Sequence, residues 1–155
     1  MITFIGEHTC RLDAKGRIML PASFKKKLTG EEQERFVVKK DIFENCLVLF
    51  PINEWERQNR IIRKKINPYK KEHNMFLRRF YKGMAELMLD SNNRLLIPKR
   101  LLDEIGADKE LVLAGQAGKI EIWARDAYNT IEIGDQEFAG MAEDIMEGLI
   151  DESEE

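Results

Sequence analysis

The chain has almost none of the residues on which disulfide scaffolds, metal sites and most hydrolytic centres depend. Among 155 residues there are two cysteines, Cys10 and Cys46, and two histidines, His8 and His73. Two cysteines exclude a disulfide-dense secreted scaffold; with no sign of export they read as small apolar core or strand residues rather than a redox pair. The histidines stand in no zinc-type spacing, and no nucleophile-elbow, dinucleotide or phosphate-loop glycine motif occurs. Carboxylates are abundant but are not grouped beside a base or a nucleophile. No catalytic residue, metal ligand or cofactor is therefore expected, and the chain reads as a non-enzyme. Apolar runs are short as well: none approaches the ~18 residues that span a membrane, and the start of the chain lacks a basic, then apolar, then small-residue pattern. A cytoplasmic protein without a membrane partner or a small-molecule substrate is expected.

Positive charge is missing from the end of the chain. Every one of the 25 Lys and Arg residues lies at or before Arg125, while 11 of the 28 acids lie after it. Residues 1–125 thus carry 25 bases against 17 acids, a net of +8, and the overall −3 describes neither part. A basic body points to a polyanionic partner. The acidic C-terminal tail, 134–155, carries a faint apolar pattern, Phe138, Met141, Ile145 and Leu149, that one amphipathic helix would gather on one face. It has no counterpart in the repeat described next and is expected to be dispensable for folding.

What the sequence does have, it has twice. Leu12-Asp13-Ala14-Lys15-Gly16-Arg17-Ile18-Met19-Leu20-Pro21 recurs 77 positions later as Leu89-Asp90-Ser91-Asn92-Asn93-Arg94-Leu95-Leu96-Ile97-Pro98. Gly6 falls on Gly83, Phe24 on Leu101 and Leu28 on Ile105. After a loop four residues shorter in the second copy, Leu47, Leu49, Phe50 and Trp55 fall on Ile120, Ile122, Trp123 and Tyr128. A repeat of about 45 residues with its gap confined to a loop marks a duplicated unit. A unit of that size is marginal alone, so each copy needs a neighbour.

Both copies predict the same elements. An apolar run meets a tight turn, Asp13–Arg17 or Asp90–Arg94, and a second apolar run follows, the pattern of a hairpin with a three-residue loop. Gly16 supplies a positive φ, and Asn93, which tolerates that region, replaces it in the second copy. Pro21 and Pro98 end the return strand and open a short helix. Two further strands close each unit, near Phe36–Lys40 with Leu47–Phe50, and near Leu111–Ala114 with Ile120–Trp123. Asn53 and Asp126 stand where following helices would need an N-cap. Between the units, Glu54 to Tyr81 reads as two helices separated at Asn67-Pro68, because Pro68 disfavours helix at the residue before it. Counting Lys82, this connector carries ten bases against three acids.

Two readings of the turns remain open. In one, Asp13 with Arg17 and Asp90 with Arg94 are staples across their turns, each exposed pair contributing only ~0.2–1 kcal/mol. In the other, Arg17 reaches DNA, where a guanidinium can read guanine O6 and N7 or hold phosphate. Only the first turn adds Lys15, suited to phosphate, and Gly16, which lets backbone approach a phosphate closely. Arg11, on the strand leading in, extends the same basic face. The candidate DNA-binding set is therefore Arg11, Lys15, Gly16, Arg17 and, more weakly, Arg94, with Asp13 and Asp90 as turn-stabilising residues. Arg57, Arg60, Arg63, Lys64 and Lys65 are more numerous, yet a charge run on an amphipathic helix is usually a solvated face.

The doubled Asp-x-x-x-Arg, each copy between an apolar strand and a short apolar strand ending in Pro, closely resembles the MraZ family of bacterial transcriptional regulators. The units of that family belong to the AbrB/SpoVT class of swapped-hairpin domains. The resemblance covers about Met1 to Tyr128, connector included, and its specificity lies in the duplication. It implies an α+β fold of two tandem swapped-hairpin AbrB-like β-barrel units with short helices, related by a pseudo-twofold repeat: 7–54 and 83–126, joined by a basic helical connector, 55–82. It also implies binding to double-stranded DNA at promoter direct repeats, repression of a cell-division and cell-wall operon that includes its own gene, nucleoid association, and a homo-oligomeric ring of eight or twelve copies. The competing reading is an oligomeric ring scaffold or protein-interaction module without specific DNA recognition. Retention of repeat-containing DNA over scrambled DNA separates the two.

Overall fold

A computed structural model of the chain describes residues 2–30, 34–131 and 133–149. Each copy of the repeat supplies four strands. The first gives β1 (Glu7–Arg11), β2 (Arg17–Met19), β3 (Arg35–Lys40) and β4 (Leu47–Pro51); the second gives β5 (Ala85–Met88), β6 (Arg94–Leu96), β7 (Glu110–Gln116) and β8 (Lys119–Ala124). The helices are α1 (Ala22–Lys25), α2 (Ile52–Lys65), α3 (Lys71–Tyr81), α4 (Lys99–Glu104), α5 (Arg125–Tyr128) and α6 (Asp135–Met146). None of the described helices is long and apolar enough to cross a membrane.

Four strand pairings cross between the repeats, β1–β7, β2–β6, β3–β5 and β4–β8, while β3–β4 and β7–β8 pair within them. Six strands form one antiparallel sheet in the order β1-β7-β8-β4-β3-β5, and β2 pairs with β6 in a separate two-stranded ribbon. The expected local hairpins do not form. The turn after β1 closes, with the Asp13 N–H donating to the Arg17 carbonyl at 3.0 Å, but the strands then part, β1 to β7 and β2 to β6. The reason is burial: β2 has three residues, too few for a stable hairpin of its own. Pairing with its counterpart places Ile18 opposite Leu95, both almost wholly buried. The same exchange brings β5 onto β3. Swapping thus occurs inside one chain, about a pseudo-twofold between β4 and β8. The result is a six-stranded sheet plus a ribbon, and no barrel is identified among the described residues, where β1 and β5 remain unpaired edges of the large sheet.

Alternation along the strands divides the sheet into two faces. Phe36, Val38, Leu47, Leu49, Leu111, Leu113, Ile120 and Ile122 point into one core together with Ile18 and Leu95 of the ribbon, Phe24 and Leu101 of the short helices and Ile105 just after α4. Both repeats therefore share a single core, which answers the marginal size of each. The opposite face presents Val37, Lys39, Val48 and Phe50, against which α2 packs. All five residues of β4 are buried, because both faces of that strand are covered.

The helix starts correct the expected caps. α2 begins at Ile52 with Pro51 as N-cap and α5 at Arg125 with Ala124, so Asn53 and Asp126 lie inside first turns and make no side-chain cap. Pro51, Pro21 and Pro98 all stand at N-caps with extended ψ, where the fixed φ of proline ends a strand and sets the helix direction. The break at Pro68 is as expected: α2 ends at Lys65 and α3 starts at Lys71. His73 Nδ1 accepts the Asn67 N–H at 2.9 Å and so holds this corner. α6 forms, yet none of its residues is buried.

Candidate nucleic-acid interface

Both turns are built by the same chemistry. Asp13 Oδ1 accepts the backbone N–H groups of Lys15 and Arg17, each at 2.9 Å, and Oδ2 accepts Arg17 Nε at 2.7 Å. Asp90 repeats the set on the N–H groups of Asn92 and Arg94 and on Arg94 Nε, all at 2.9 Å. The bond to the Arg17 N–H is the largest influence holding the Asp13 carboxyl down, to about 2. Asp90 is lowered in the same way, chiefly by the Arg94 N–H. A carboxylate with three donors stays ionised throughout the physiological range. Gly16 at φ +85° and Asn93 at φ +61° occupy the left-handed position that each turn requires.

Both Asp–Arg pairs are therefore hydrogen-bonded across their turns, and the geometry leaves the DNA reading open. Each Asp engages only Nε, so the Nη amines of Arg17 and Arg94 have no described protein partner. The guanidinium is fixed at its root and available at its tip. Lys15 is exposed, and its ammonium enters no ion pair among the described residues.

The surroundings of the two turns differ. Beside the first lies an open groove of about 740 Å³ lined by Arg11, Lys15 and Gly16 from the first repeat and by Lys99 and Lys109 from the second. It also contains Asp13, Asp103 and Asp108. The Gly16 carbonyl accepts the Ile97 N–H at 3.1 Å, and this link sets the start of α4, with Lys99, against the first turn. The repeat places Met88, Asn92 and Ala22 where the first-turn groove has Arg11, Lys15 and Lys99. The second turn thus keeps the staple without bases at these three positions, while Lys26 falls where the first-turn groove has Asp103. Lys99 and Lys109 were not legible as site residues. The alignment of Lys99 with Ala22 is visible in the sequence, but its position beside Lys15 follows from the β2–β6 pairing.

The remaining candidates take structural places. Arg57 is held by Glu54 at 2.8 Å on α2, and its neighbouring bases are mostly exposed on the side of the molecule covered by the helices. His8 packs edge-on against Phe24 and lies 3.1 Å from Ser23 Oγ. Both cysteines are free thiols, and burial pushes Cys46 up to about 12, which makes it unreactive. No group of three or more His, Cys, Asp or Glu capable of holding a metal occurs among the described residues.

Comparison with known proteins converges on one family. The model of the family described as "MraZ protein" matches twice, over residues 3–79 and 80–145, a division that falls between the two copies of the stapled turn. A Christiangramia forsetii protein is 42% identical over 150 residues, covering 94% of each chain. One from Flavobacterium psychrophilum is 39% identical, covering 98% of this chain and 97% of its own. A third, from Carboxydothermus hydrogenoformans, is 34% identical with 96% and 97% covered. All three bear the name transcriptional regulator MraZ. With two family matches that together span nearly the whole chain, the protein belongs to the MraZ family of transcriptional regulators, a family of non-enzymes.

Proposed function

We propose that the chain regulates transcription by sequence-specific binding to tandem direct repeats in the promoter of a cell-division and cell-wall operon containing its own gene, and that it represses that operon. The observation that carries the reading is the first turn: Asp13 holds Arg17 through Nε and accepts the Lys15 N–H, and Lys15 lines a groove with Arg11, Lys99 and Lys109, on a body of net charge +8.

Each group has a role that its chemistry suits. Asp13 orients Arg17 through Nε and leaves the Nη fork for guanine O6 and N7. Lys15, Arg11 and the two lysines of the second repeat neutralise phosphates, and Gly16 allows backbone to approach the strand. Arg94 presents the same fork from a turn that lacks these neighbours and contributes less. In this reading repeats 7–54 and 83–126 form the DNA-binding body, the connector 55–82 joins them, and the tail 134–155 stays clear of DNA.

One turn is too small to supply a specific interface of ~1,000–2,500 Å². Copies linked in a ring of eight or twelve would engage successive repeats with an avidity gain of ~10²–10⁴. The test is a titration of full-length protein on DNA carrying one, two or three promoter repeats, at native spacing and with five base pairs inserted, beside scrambled DNA. Affinity should climb steeply with repeat number and drop on insertion. Equal affinity for scrambled DNA would overturn specific recognition, and equal affinity for one and three repeats would overturn the linked-copy mechanism.

A further inference from the structure

On the side of the sheet away from the ribbon lies a second groove, about 210 Å³, whose walls are aromatic: Phe43, Phe50, Trp55 and Phe80. Two cations, Lys39 and Lys119, and one carboxylate, Asp41, face it. Lys39 is only 6% exposed, sits 3.4 Å from the centroid of the Phe80 ring, and enters no ion pair among the described residues. Burial lowers its pKa to about 8, so its charge is held at a cost that an incoming carboxylate would relieve. At the rim, Phe43 is 88% exposed, although its loop is ordered: Asp41 Oδ2 accepts the N–H groups of Phe43 and Glu44 at 3.1 and 2.8 Å. An aromatic ring displayed to water on a stapled loop, above a buried and unpaired lysine, is a surface that lacks its partner.

The complementary surface lies on the same chain. Phe138, Met141 and Ile145 recur on one face of α6 and are all exposed, Ile145 at 80%. The helix carries Asp135, Glu137, Glu143 and Asp144, and no Lys or Arg follows Arg125. Among the described residues none of α6 is buried and none of α6 lines the groove. Both surfaces are therefore left for another copy.

We propose that the groove between Phe43, Trp55 and Phe80 receives the apolar face of α6 from a second copy of the chain, with the acids of that helix meeting Lys39 and Lys119. Phe138 or Ile145 enters the aromatic walls, and a carboxylate replaces solvent beside the lysines. The contact is heterologous: each copy offers a groove to one neighbour and a tail to another, so copies join head to tail, and the series closes into a ring when the rotation between copies permits. The tail is then dispensable for folding a single copy and required for assembly.

The test is the light-scattering mass of the full chain without DNA, which makes its outcome independent of the DNA-binding reading. Phe43→Asp damages only the groove and Ile145→Asp only the tail. Both positions are so exposed that circular dichroism should match the parent, and Phe138→Asp serves as a second tail variant. The parent should run as a multiple of the 18.1 kDa chain, and each variant alone as the single chain. A 1:1 mixture of groove and tail variants should form a two-chain species, because one intact groove and one intact tail remain between them. A parent of single-chain mass, as when each tail folds back on its own groove, variants that keep the parent mass, or a mixture that stays at single-chain mass would each overturn the contact.

Discussion

The turns at Asp13–Arg17 and Asp90–Arg94 share every bond of the staple and differ in almost everything around it. Each Asp takes two backbone N–H groups and one Arg Nε, at 2.7–2.9 Å in both copies. Only the first turn has Lys15 at its tip and a groove lined by Arg11, Lys99 and Lys109 at its side. What is common to both serves the fold, because each turn redirects the chain from a large-sheet strand into the ribbon. What is confined to one is free to serve recognition. In the proposed reading, the pseudo-twofold separates two duties of a single motif.

The largest expected effect tests this division directly. Lys15→Ala and Arg17→Ala should each weaken binding to repeat-containing DNA at least tenfold, about 1.4 kcal/mol, with oligomer mass and circular dichroism unchanged. Arg94→Ala should weaken it less. Equal loss at both turns would erase the asymmetry, and unfolding of Arg17→Ala would assign that residue to the staple alone.

A second comparison sharpens the role of the groove. If Lys99 and Lys109 each meet a phosphate, their replacement by Ala should lower the slope of log affinity against log salt by about 0.9 per residue, or roughly threefold in affinity between 50 and 200 mM salt. Ala22→Lys, which places a base at the matching position of the second copy, should leave the slope as it is. An unchanged slope in both lysine variants would restrict the interface to the turn.

Effects on stability should follow backbone conformation rather than charge. At φ +85° a Cβ on Gly16 meets only ordinary contacts, the nearest at 3.6 Å from the Ile97 carbonyl oxygen. Gly16→Ala should therefore cost about 1–2 kcal/mol of conformational strain, read as a lower urea midpoint. Asn93→Gly, at φ +61°, should cost little or nothing. A similar penalty at both positions would mean that Asn93 has contacts beyond its conformation.

The smallest expected effect is a dependence on acid. Because the Asp13 carboxyl is held at about 2 in the folded chain, its contribution is complete above the ordinary carboxylate pKa of ~3.9 and is lost as pH falls from about 4 through about 2. Asp90, lowered in the same direction, should show a weaker version. Urea midpoints between pH 5 and 2.5 should show the slope reduced in Asp13→Asn and less so in Asp90→Asn. A larger reduction in Asp90→Asn would reverse the order of the two staples.

The sequence by itself determined whatever is settled within a few residues. The turns, the left-handed positions at Gly16 and Asn93, the Asp–Arg staples, the proline-led helix starts and the break at Pro68 all follow from local sterics and short hydrogen bonds, and the doubling made each visible twice. The placement of N-caps failed at Asn53 and Asp126 because the preceding prolines and strand ends already fixed where helix begins. Strand partners were decided only by tertiary structure. A three-residue strand such as β2 pairs equally well in principle with β1 or with β6, and the choice depends on how much apolar surface the whole body buries, which brings Ile18 to Leu95. That exchange carried Lys99 and Lys109 across to Lys15. It also left Lys39 beneath Phe80 and, among the described residues, α6 with no buried side chain, placements that no spacing along the sequence encodes because they arise between residues far apart in it.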